Sequence, residues 1–224
     1  MLDLRRRATE PELLDEGVPD HEAIRSLSDL RFVNRWLGGR RSLLRAVRPL
    51  LDGIARPRLL DVGCGSADLP GFLARALPSR PLAVGVDLKL VHLKQAPSGV
   101  QRVVADVRRL PFAAGSFDVV TASLFLHHFD GPEVAEVLRS LYALSRRALV
   151  VNDLRRARVP YVFGRAVFPR VFRSPVSVAD GLLSIRRGFT PGELLAAFRE
   201  ARIDGVRIRR SFPYRLVAVA VRGS

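Results

Sequence analysis

One stretch decides the fold of this 224-residue chain: Leu59-Leu60-Asp61-Val62-Gly63-Cys64-Gly65-Ser66-Ala67-Asp68-Leu69. Its first four residues are typical of a buried β-strand, and the two glycines that follow allow a tight turn into a helix. More apolar runs of strand length follow, separated by helical stretches, and this alternation is typical of βαβ units with a parallel sheet. The sequence therefore predicts an α/β fold.

The sequence on both sides of this stretch predicts how the chain is divided. Helical periodicity from Asp20 to Leu51 predicts an N-terminal helical cap, which we assign to residues 1–56, with the main domain at 57–224. Thr190-Pro191-Gly192-Glu193 has the pattern of a capping box and predicts the start of a late helix. The two strand patterns after that helix are too close together for a crossover helix, so we expect them to be antiparallel.

Composition narrows the class of protein. Hydrophobic residues make up 48% of the chain, which is enough for a core, but no apolar run approaches the roughly 20 residues of a membrane-spanning helix. No apolar segment of a signal peptide follows Met1–Arg7. The single cysteine, Cys64, excludes internal disulfides and an iron–sulfur cluster held by the chain's own cysteines. We therefore expect a cytoplasmic protein.

Acidic residues in and after the glycine turn indicate the ligand. A dinucleotide site would have glycine at the sixth position of the loop, where this chain has Asp68, and Asp61 ends the strand before it. Both carboxylates disfavour a phosphate and favour a ligand with a positive centre. Asp87, at the end of the second strand, is suited to accept hydrogen bonds from two ribose hydroxyls, and Asp106, after the third, from an adenine amino group. This pattern predicts a site for S-adenosylmethionine.

The chain resembles the class I S-adenosylmethionine-dependent methyltransferases, in the branch of the ubiquinone and menaquinone biosynthesis enzymes. The motifs LLDVGCGSADL, VGVDL, ADVRRLPF and FDVVTASLFLHHF carry this resemblance over about residues 58–153. It implies a sheet of seven strands in the order 3-2-1-4-5-7-6 with the last strand antiparallel. The resemblance also implies residues that contact the cofactor. Together with the acidic residues above and the last residue of the fourth strand, the predicted cofactor-binding residues are Asp61, Gly63, Cys64, Gly65, Asp87, Leu88, Asp106, Val107 and Ser123.

The acceptor of the methyl group is expected over the ends of the fourth and fifth strands. The fourth strand ends in Ser123, where the metal-dependent catechol-type enzymes have an acidic residue. The Asn/Asp-Pro-Pro-aromatic run of enzymes that methylate amino groups of nucleic acids is also absent after this strand. We therefore expect no metal site. His127 and His128 are the candidate catalytic residues, because a histidine can take a phenolic or enolic proton near neutral pH. We favour His128, and we expect that the two adjacent side chains do not both face the pocket.

A basic and aromatic segment follows the fifth strand. The net charge of +15 is concentrated after residue 138, and Val159 to Phe172 interleaves arginine with aromatic and aliphatic residues. We expect a lid insertion at about residues 155–187. Such a segment suits a hydrophobic acceptor, a membrane surface or RNA, and its valines favour a hydrophobic acceptor or lipid-like contact over RNA. Asn34–Leu37 and Val151–Arg156 also look similar to small bacterial methyltransferases associated with type III polyketide synthases.

Three functional hypotheses follow from the sequence. The first is methyl transfer to an oxygen or carbon of a small hydrophobic phenolic, quinone-like or polyketide acceptor. The second is an RNA-binding or RNA-modifying methyltransferase that is drawn to its substrate by the basic segment. The third is a cofactor-binding protein without turnover.

Overall fold

Seven strands form one sheet in a computed structural model that describes residues 4–223. The strand order is β3-β2-β1-β4-β5-β7-β6, and every neighbouring pair is parallel except those made by β7, which runs antiparallel to both β5 and β6. The predicted order and direction are confirmed. The strands are β1 (Arg58–Val62), β2 (Leu82–Asp87), β3 (Val100–Val104), β4 (Phe117–Ser123), β5 (Ser145–Leu154), β6 (Arg207–Ser211) and β7 (Arg215–Val221).

Helices flank the sheet on both faces. The predicted capping box is present at the start of α9, where the Thr190 hydroxyl accepts from the Glu193 amide and the Glu193 carboxylate accepts from the Thr190 amide. The helices are α1 (Leu13–Glu16), α2 (Asp20–Trp36), α3 (Gly39–Leu51), α4 (Asp68–Ala76), α5 (Leu90–Leu93), α6 (Pro132–Leu144), α7 (Arg158–Val171), α8 (Pro175–Arg187) and α9 (Pro191–Glu200).

The core has two layers because successive strand side chains point to opposite faces. In β1, Leu60 and Val62 pack with residues of α6 and α9, whereas Leu59 packs on the other face with residues of α3 and α4. All three side chains are at most 1% exposed. This burial on both faces explains why β1 appears in the sequence as a continuous apolar run.

Residues 7–17, which we call the N-terminal strap, cross the molecule near the carboxyl ends of the strands. The Arg7 guanidinium donates to the carbonyls of His127 and Phe129 after β4, and the Asp180 carboxylate of α8 accepts from the Leu13 and Leu14 amides. The strap therefore joins α8 to the turn after β4. The division into a cap at 1–56, a main domain and a lid stays a prediction. No helix within residues 4–223 is long and apolar enough to cross a membrane.

Candidate active site

The glycine loop between β1 and α4 has a backbone that only glycine adopts easily. Gly63 and Gly65 have φ angles of +65° and +55°, and a Cβ on Gly63 would stand 2.0 Å from the Phe125 ring. The loop lies against β2, where the Cys64 amide donates to the Val86 carbonyl. Cys64 Sγ packs on Gly85, and burial raises the pKa of its thiol well above the usual value. Cys64 is therefore an inert packing residue at neutral pH.

Asp87 ties the end of β2 to the glycine loop. One carboxylate oxygen accepts from the Gly65 amide at 2.8 Å, and the other accepts from the Lys89 amide at 2.9 Å and pairs with His92 Nδ1 at 3.0 Å. The predicted ribose acceptor thus also shapes the loop. It is a local arrangement, because all four residues lie between the end of β1 and α5, within residues 65–92.

The neighbouring predicted contacts differ in exposure. Leu88 is 63% exposed, whereas Val107 is buried. The Asp106 carboxylate accepts from the Arg108 amide and so caps the short 3-10 helix Val107–Arg109. Their contacts with a cofactor stay predictions, but all three residues lie at the same edge of the sheet as Asp87.

Asp61 and Ser123 lie deeper than the loop. The Thr121 hydroxyl donates to the Asp61 carboxylate at 2.6 Å, and burial raises the pKa of Asp61 to about 7 in spite of that hydrogen bond. Ser123 Oγ donates to the Asn152 carbonyl and accepts from the Asn152 side-chain amide. The hydrogen bonds of both side chains in this structure therefore connect strands of the sheet.

A polar cluster adjoins the loop at the start of α4. Asp68 accepts from the Asn34 amide at 3.1 Å and lies 3.5 Å from the Arg40 guanidinium. Within residues 4–223, Asn34 Oδ1, Arg40 Nε and the second Asp68 oxygen are buried without a hydrogen-bond partner. Sequence reasoning did not assign Asn34 or Arg40, because both come from helices that precede the sheet.

His127 and His128 lie together in the short 3-10 helix Leu126–His128. Their rings stack with centroids 4.5 Å apart and planes 29° apart, and both line the same cavity. The expectation that only one of the two faces the pocket is wrong. The tight turn accounts for this, because both imidazoles approach Glu12 of the strap from one side, at 3.3 Å and 3.9 Å.

His127 is held as a cation. Its Nδ1 lies 2.7 Å from Asp153 of β5 and its Nε2 lies 3.3 Å from Glu12. Burial alone would lower the pKa of this imidazole, but Asp153 and then Glu12 outweigh burial and raise it to about 10. An imidazolium with both nitrogens paired cannot accept a proton, so this geometry disfavours His127 as a base.

His128 lies between two carboxylates of the strap. Its Nδ1 lies 2.5 Å from a carboxylate oxygen of Asp15, and its Nε2 lies 3.9 Å from Glu12. With the Nδ1 proton donated to Asp15, a neutral His128 carries its lone pair on Nε2. One ligand atom from each of Glu12, His127 and His128 also falls within 4.8 Å of the others, so these three could hold a metal ion.

A cavity of about 420 Å³ opens beside the histidine pair. Its walls come from α2, the turn after β4, the end of β5, α7, α8 and the loop before β7, and they are mainly aliphatic and aromatic. The aromatic side chains in the wall, apart from the histidines, are Trp36, Phe163, Phe168, Phe172, Phe212 and Tyr214. The cavity therefore suits a hydrophobic ring system.

Several residues of the candidate site have no signal in the sequence. Glu12 and Asp15 come from the strap, which has no periodic pattern, and Asp180 comes from the middle of α8. Burial raises the pKa of Asp180 to about 6, although the Leu14 and Leu13 amides lower it. Asp153 had a signal, because it follows Asn152 near the carboxyl end of a strand, but nothing in the sequence identified His127 as its partner.

Comparison with known proteins agrees with this geometry. Residues 59–147 match a family model described as a methyltransferase domain. A malonyl-[acyl-carrier protein] O-methyltransferase of Legionella pneumophila is 40% identical over 83 residues, which cover 33% of this chain and 28% of that protein. A ubiquinone biosynthesis O-methyltransferase of Pseudomonas aeruginosa is 29% identical over 163 residues, 68% of this chain and 66% of that protein. The matched regions thus cover less than two thirds of these relatives.

Solved structures share the fold. The plantazolicin methyltransferase BpumL, determined in complex with SAH, superposes with a TM-score of 0.67 at 15% identity, over 92% of this chain and 96% of that one. Magnesium protoporphyrin IX methyltransferase from Synechocystis PCC 6803 has a TM-score of 0.56 at 19% identity, over 83% and 84% of the two chains. At these identities the likeness shows a shared fold.

Proposed function

We propose that this chain, which belongs to the class I S-adenosylmethionine-dependent methyltransferases, transfers a methyl group to an oxygen or carbon of a small hydrophobic acceptor. The acceptor is a phenolic, quinone-like or polyketide molecule. The observation that carries the proposal is the cavity of about 420 Å³, whose mainly apolar wall includes the histidine pair. The ubiquinone biosynthesis relative supports an acceptor of this kind.

The residues beside the glycine loop fit S-adenosylmethionine. Its methionine end carries an ammonium and a carboxylate, and the polar cluster offers the Asp68 carboxylate and the Arg40 guanidinium, each with a buried atom lacking a hydrogen-bond partner within residues 4–223. Gly63 and Gly65 leave the backbone accessible, and Asp87 would hold the ribose. When bound, the cofactor would supply a methyl group on a cationic sulfur, and the sulfur would leave as an electron-rich acceptor atom attacks the methyl carbon from the opposite side.

The chain's own residues then act on the acceptor. The aromatic wall binds and orients its ring and excludes water, which supplies the alignment that methyl transfer needs. His128 takes the acceptor's proton on Nε2, and Asp15 keeps the ring in the required tautomer through Nδ1. His127, paired with Asp153, fixes the position of the turn on which His128 stands.

The arginines of the basic segment give less support to RNA binding than the net charge of that segment alone. Arg156 is buried and donates to the Glu193 carboxylate and the Gly188 carbonyl, and Arg187 donates to the His127 carbonyl and the Asp130 carboxylate. These two arginines are therefore used inside the protein. Arginines that are already paired do not contribute to the phosphate contacts that RNA binding needs.

The exposed face of helix α7 supports an acceptor that is lipid-like or associated with a membrane. It exposes Val159, Val162 and Phe163 beside the exposed Arg158 and Arg165. An apolar face flanked by arginines suits the surface of an anionic bilayer. Cosedimentation with anionic vesicles should fall for a Val162→Ser, Phe163→Ser variant, whereas binding that is unchanged would contradict this contact.

The proposed function is tested with labelled cofactor. The protein is incubated with methyl-labelled S-adenosylmethionine and a panel of alkylresorcinols and quinols, and products are identified by mass spectrometry. A methylated product supports the proposal. Retention of the cofactor without any product would favour the non-catalytic hypothesis. Methylation of RNA, with affinity that falls steeply with salt, would favour the second one.

A further inference from the structure

The two histidines after β4 are each held by a carboxylate at Nδ1. His127 Nδ1 lies 2.7 Å from Asp153, and His128 Nδ1 lies 2.5 Å from Asp15. A carboxylate at one ring nitrogen fixes the orientation of the ring and makes the other nitrogen a better ligand. Histidines that bind metal ions in proteins almost always have such a partner. The arrangement therefore presents two oriented Nε2 atoms.

Both Nε2 atoms approach one carboxylate, that of Glu12 in the strap. His127 Nε2 lies 3.3 Å from Oε1, and His128 Nε2 lies 3.9 Å from Oε2. In a tetrahedral site with bonds of about 2.0–2.1 Å to nitrogen and oxygen, two ligand atoms stand about 3.3 Å apart. One ligand atom of each of the three residues lies within 4.8 Å of the other two. The three residues are therefore already near the spacing that a single ion needs.

The surroundings of the three residues support a cation. Glu12 is 6% exposed and His127 is 2% exposed, and the Ser184 hydroxyl lies 2.6 Å from Glu12 Oε1. Three carboxylates, those of Glu12, Asp15 and Asp153, lie against the two imidazoles. All three candidate ligands line the cavity beside the histidine pair, so water or an acceptor atom in the cavity can complete the coordination of an ion.

We propose that Glu12, His127 and His128 bind a divalent transition-metal ion of the zinc type, through a carboxylate oxygen and both Nε2 atoms. Two imidazoles with one carboxylate are a donor set that zinc and related ions prefer, whereas Mg²⁺ prefers oxygen ligands alone. The ion displaces the proton on His127 Nε2, which is released to solvent. Sequence reasoning predicted no metal site because β4 ends in Ser123 instead of an acid, but this carboxylate comes from the strap.

The ion and the base of the proposed function need the same atom. His128 Nε2 cannot coordinate a metal ion and accept the acceptor's proton at the same time, so the bound ion inhibits methyl transfer. This inhibition rests on the proposed function, whereas binding of the ion does not. The site therefore makes turnover sensitive to the concentration of free zinc-type ions.

Metal binding is measured on the full chain without cofactor. The visible absorption of bound Co²⁺ reports its coordination, calorimetry gives the affinity and stoichiometry for Zn²⁺, and Mg²⁺ is the control ion. The variant Glu12→Gln removes the anionic ligand, and Asp15→Asn changes only the partner of His128 Nδ1. Glu10→Gln is the matched control, because Glu10 lies on the same strap and pairs with Arg186 at 3.2 Å.

We expect one Zn²⁺ or Co²⁺ per chain, with the visible bands of a four- or five-coordinate Co²⁺ and no displacement by Mg²⁺. Loss of an outer partner alone typically weakens metal binding by about 10-fold to 100-fold, so Asp15→Asn should cost about 10-fold and Glu12→Gln about 100-fold or more. Glu10→Gln should stay within about 3-fold, because an exposed ion pair contributes little. Methyl transfer by the parent should fall as Zn²⁺ saturates the site and return when a chelator is added. If Glu12→Gln does not fold, Glu12→Asp, whose shorter side chain withdraws the oxygen, gives the comparison.

Two results would overturn the metal site. The parent could bind neither Zn²⁺ nor Co²⁺, or Glu12→Gln could bind them as tightly as the parent. Binding that leaves turnover unchanged or raises it would overturn the inhibition, and a rise would assign the ion to catalysis. Failure of the proposed function is distinct, because the chain would then methylate no acceptor of the panel while the Co²⁺ spectrum still reports the site.

Discussion

The two halves of the proposed site, one for the cofactor and one for the acceptor, are built in different ways. In the cofactor half, the glycine loop and Asp87 belong to one βαβ unit and hold each other through backbone amides. In the acceptor half, the strap, the turn after β4, β5 and α8 each contribute one or two side chains, and salt bridges together with amide-to-carboxylate hydrogen bonds hold them in place. The first half depends on local backbone geometry and the second on long-range electrostatics.

This difference predicts how each half responds to mutation. In the cofactor half, substitution of a side chain that touches the cofactor should change cofactor affinity, whereas substitution of Asp61, which is hydrogen-bonded to Thr121 of β4, should change stability. In the acceptor half, a side chain that touches the acceptor should change turnover, whereas a side chain that only holds its neighbours should change stability. The two adjacent histidines make this distinction testable within one turn.

His128→Ala should lower turnover by about 10²-fold to 10⁴-fold, the usual contribution of a general base. Its affinity for S-adenosylhomocysteine should not change, because His128 lies in the acceptor half. Turnover is measured with the best acceptor of the panel. His127→Ala is the matched control, and it should act through stability, since removing the cation leaves Asp153 as a buried unpaired charge at a cost of about 3–5 kcal/mol. Equal turnover in the parent and His128→Ala would place the base elsewhere.

Asp87→Ala should weaken S-adenosylhomocysteine binding by about 100-fold or more, which corresponds to the loss of two charge-assisted hydrogen bonds at roughly 3 kcal/mol. Calorimetry measures the affinity. Asp106→Ala, at the end of the neighbouring strand, should cost only about 10-fold because one hydrogen bond to an amino group is lost. Similar small losses in both variants would contradict the assignment of Asp87 to the ribose.

Asp61→Asn should change how stability depends on pH. The pKa of Asp61 is about 7 in the folded protein against a usual 3.8, so the folded state holds this proton more tightly than the unfolded state. Between those values stability falls as pH rises, and the loss is complete above about pH 7. Asparagine does not titrate, so the variant should not lose this stability as pH rises. In urea titrations, its free energy of unfolding relative to the parent should therefore rise by on the order of 2 kcal/mol between pH 4 and pH 8. A difference in unfolding free energy between variant and parent that does not change with pH would show that the Asp61 carboxyl does not cause the pH dependence.

Thr190→Ala should have the smallest effect, about 1 kcal/mol of stability from the lost cap. Its capping box lies at the start of α9, outside both halves, so cofactor affinity and turnover should not change. Urea unfolding measures the loss. A change in turnover would mean that the halves are coupled through α9.

The fold around the glycine loop was well predicted from the sequence because its signals are local, whereas the residue contacts with the cofactor stay predictions. A continuous apolar strand and the glycine turn after it can be seen within eleven residues, and the strand order followed from the resemblance that the motifs carry. The acceptor half was only partly predictable. His127 and His128 stood out by residue type, but their carboxylate partners Glu12, Asp15 and Asp153 lie far away along the chain. No periodic pattern encodes such a pairing.

Arg215 shows the same limit more strongly. In the sequence it is one of many arginines, at the start of a continuous apolar strand. Only the fold shows that it is buried and that its outer nitrogens have no partner within residues 4–223. A count of charged residues gives the net charge of the chain, but it does not identify which arginine is buried.

The aromatic wall of the cavity gives the protein a built-in optical reporter. Trp36 is the chain's single tryptophan, and it stands in that wall while 63% exposed to solvent. An indole that passes from water to an apolar contact shifts its emission to shorter wavelength. Occupation of the acceptor cavity should therefore be visible in the intrinsic fluorescence of the unlabelled protein, without any background from a second indole.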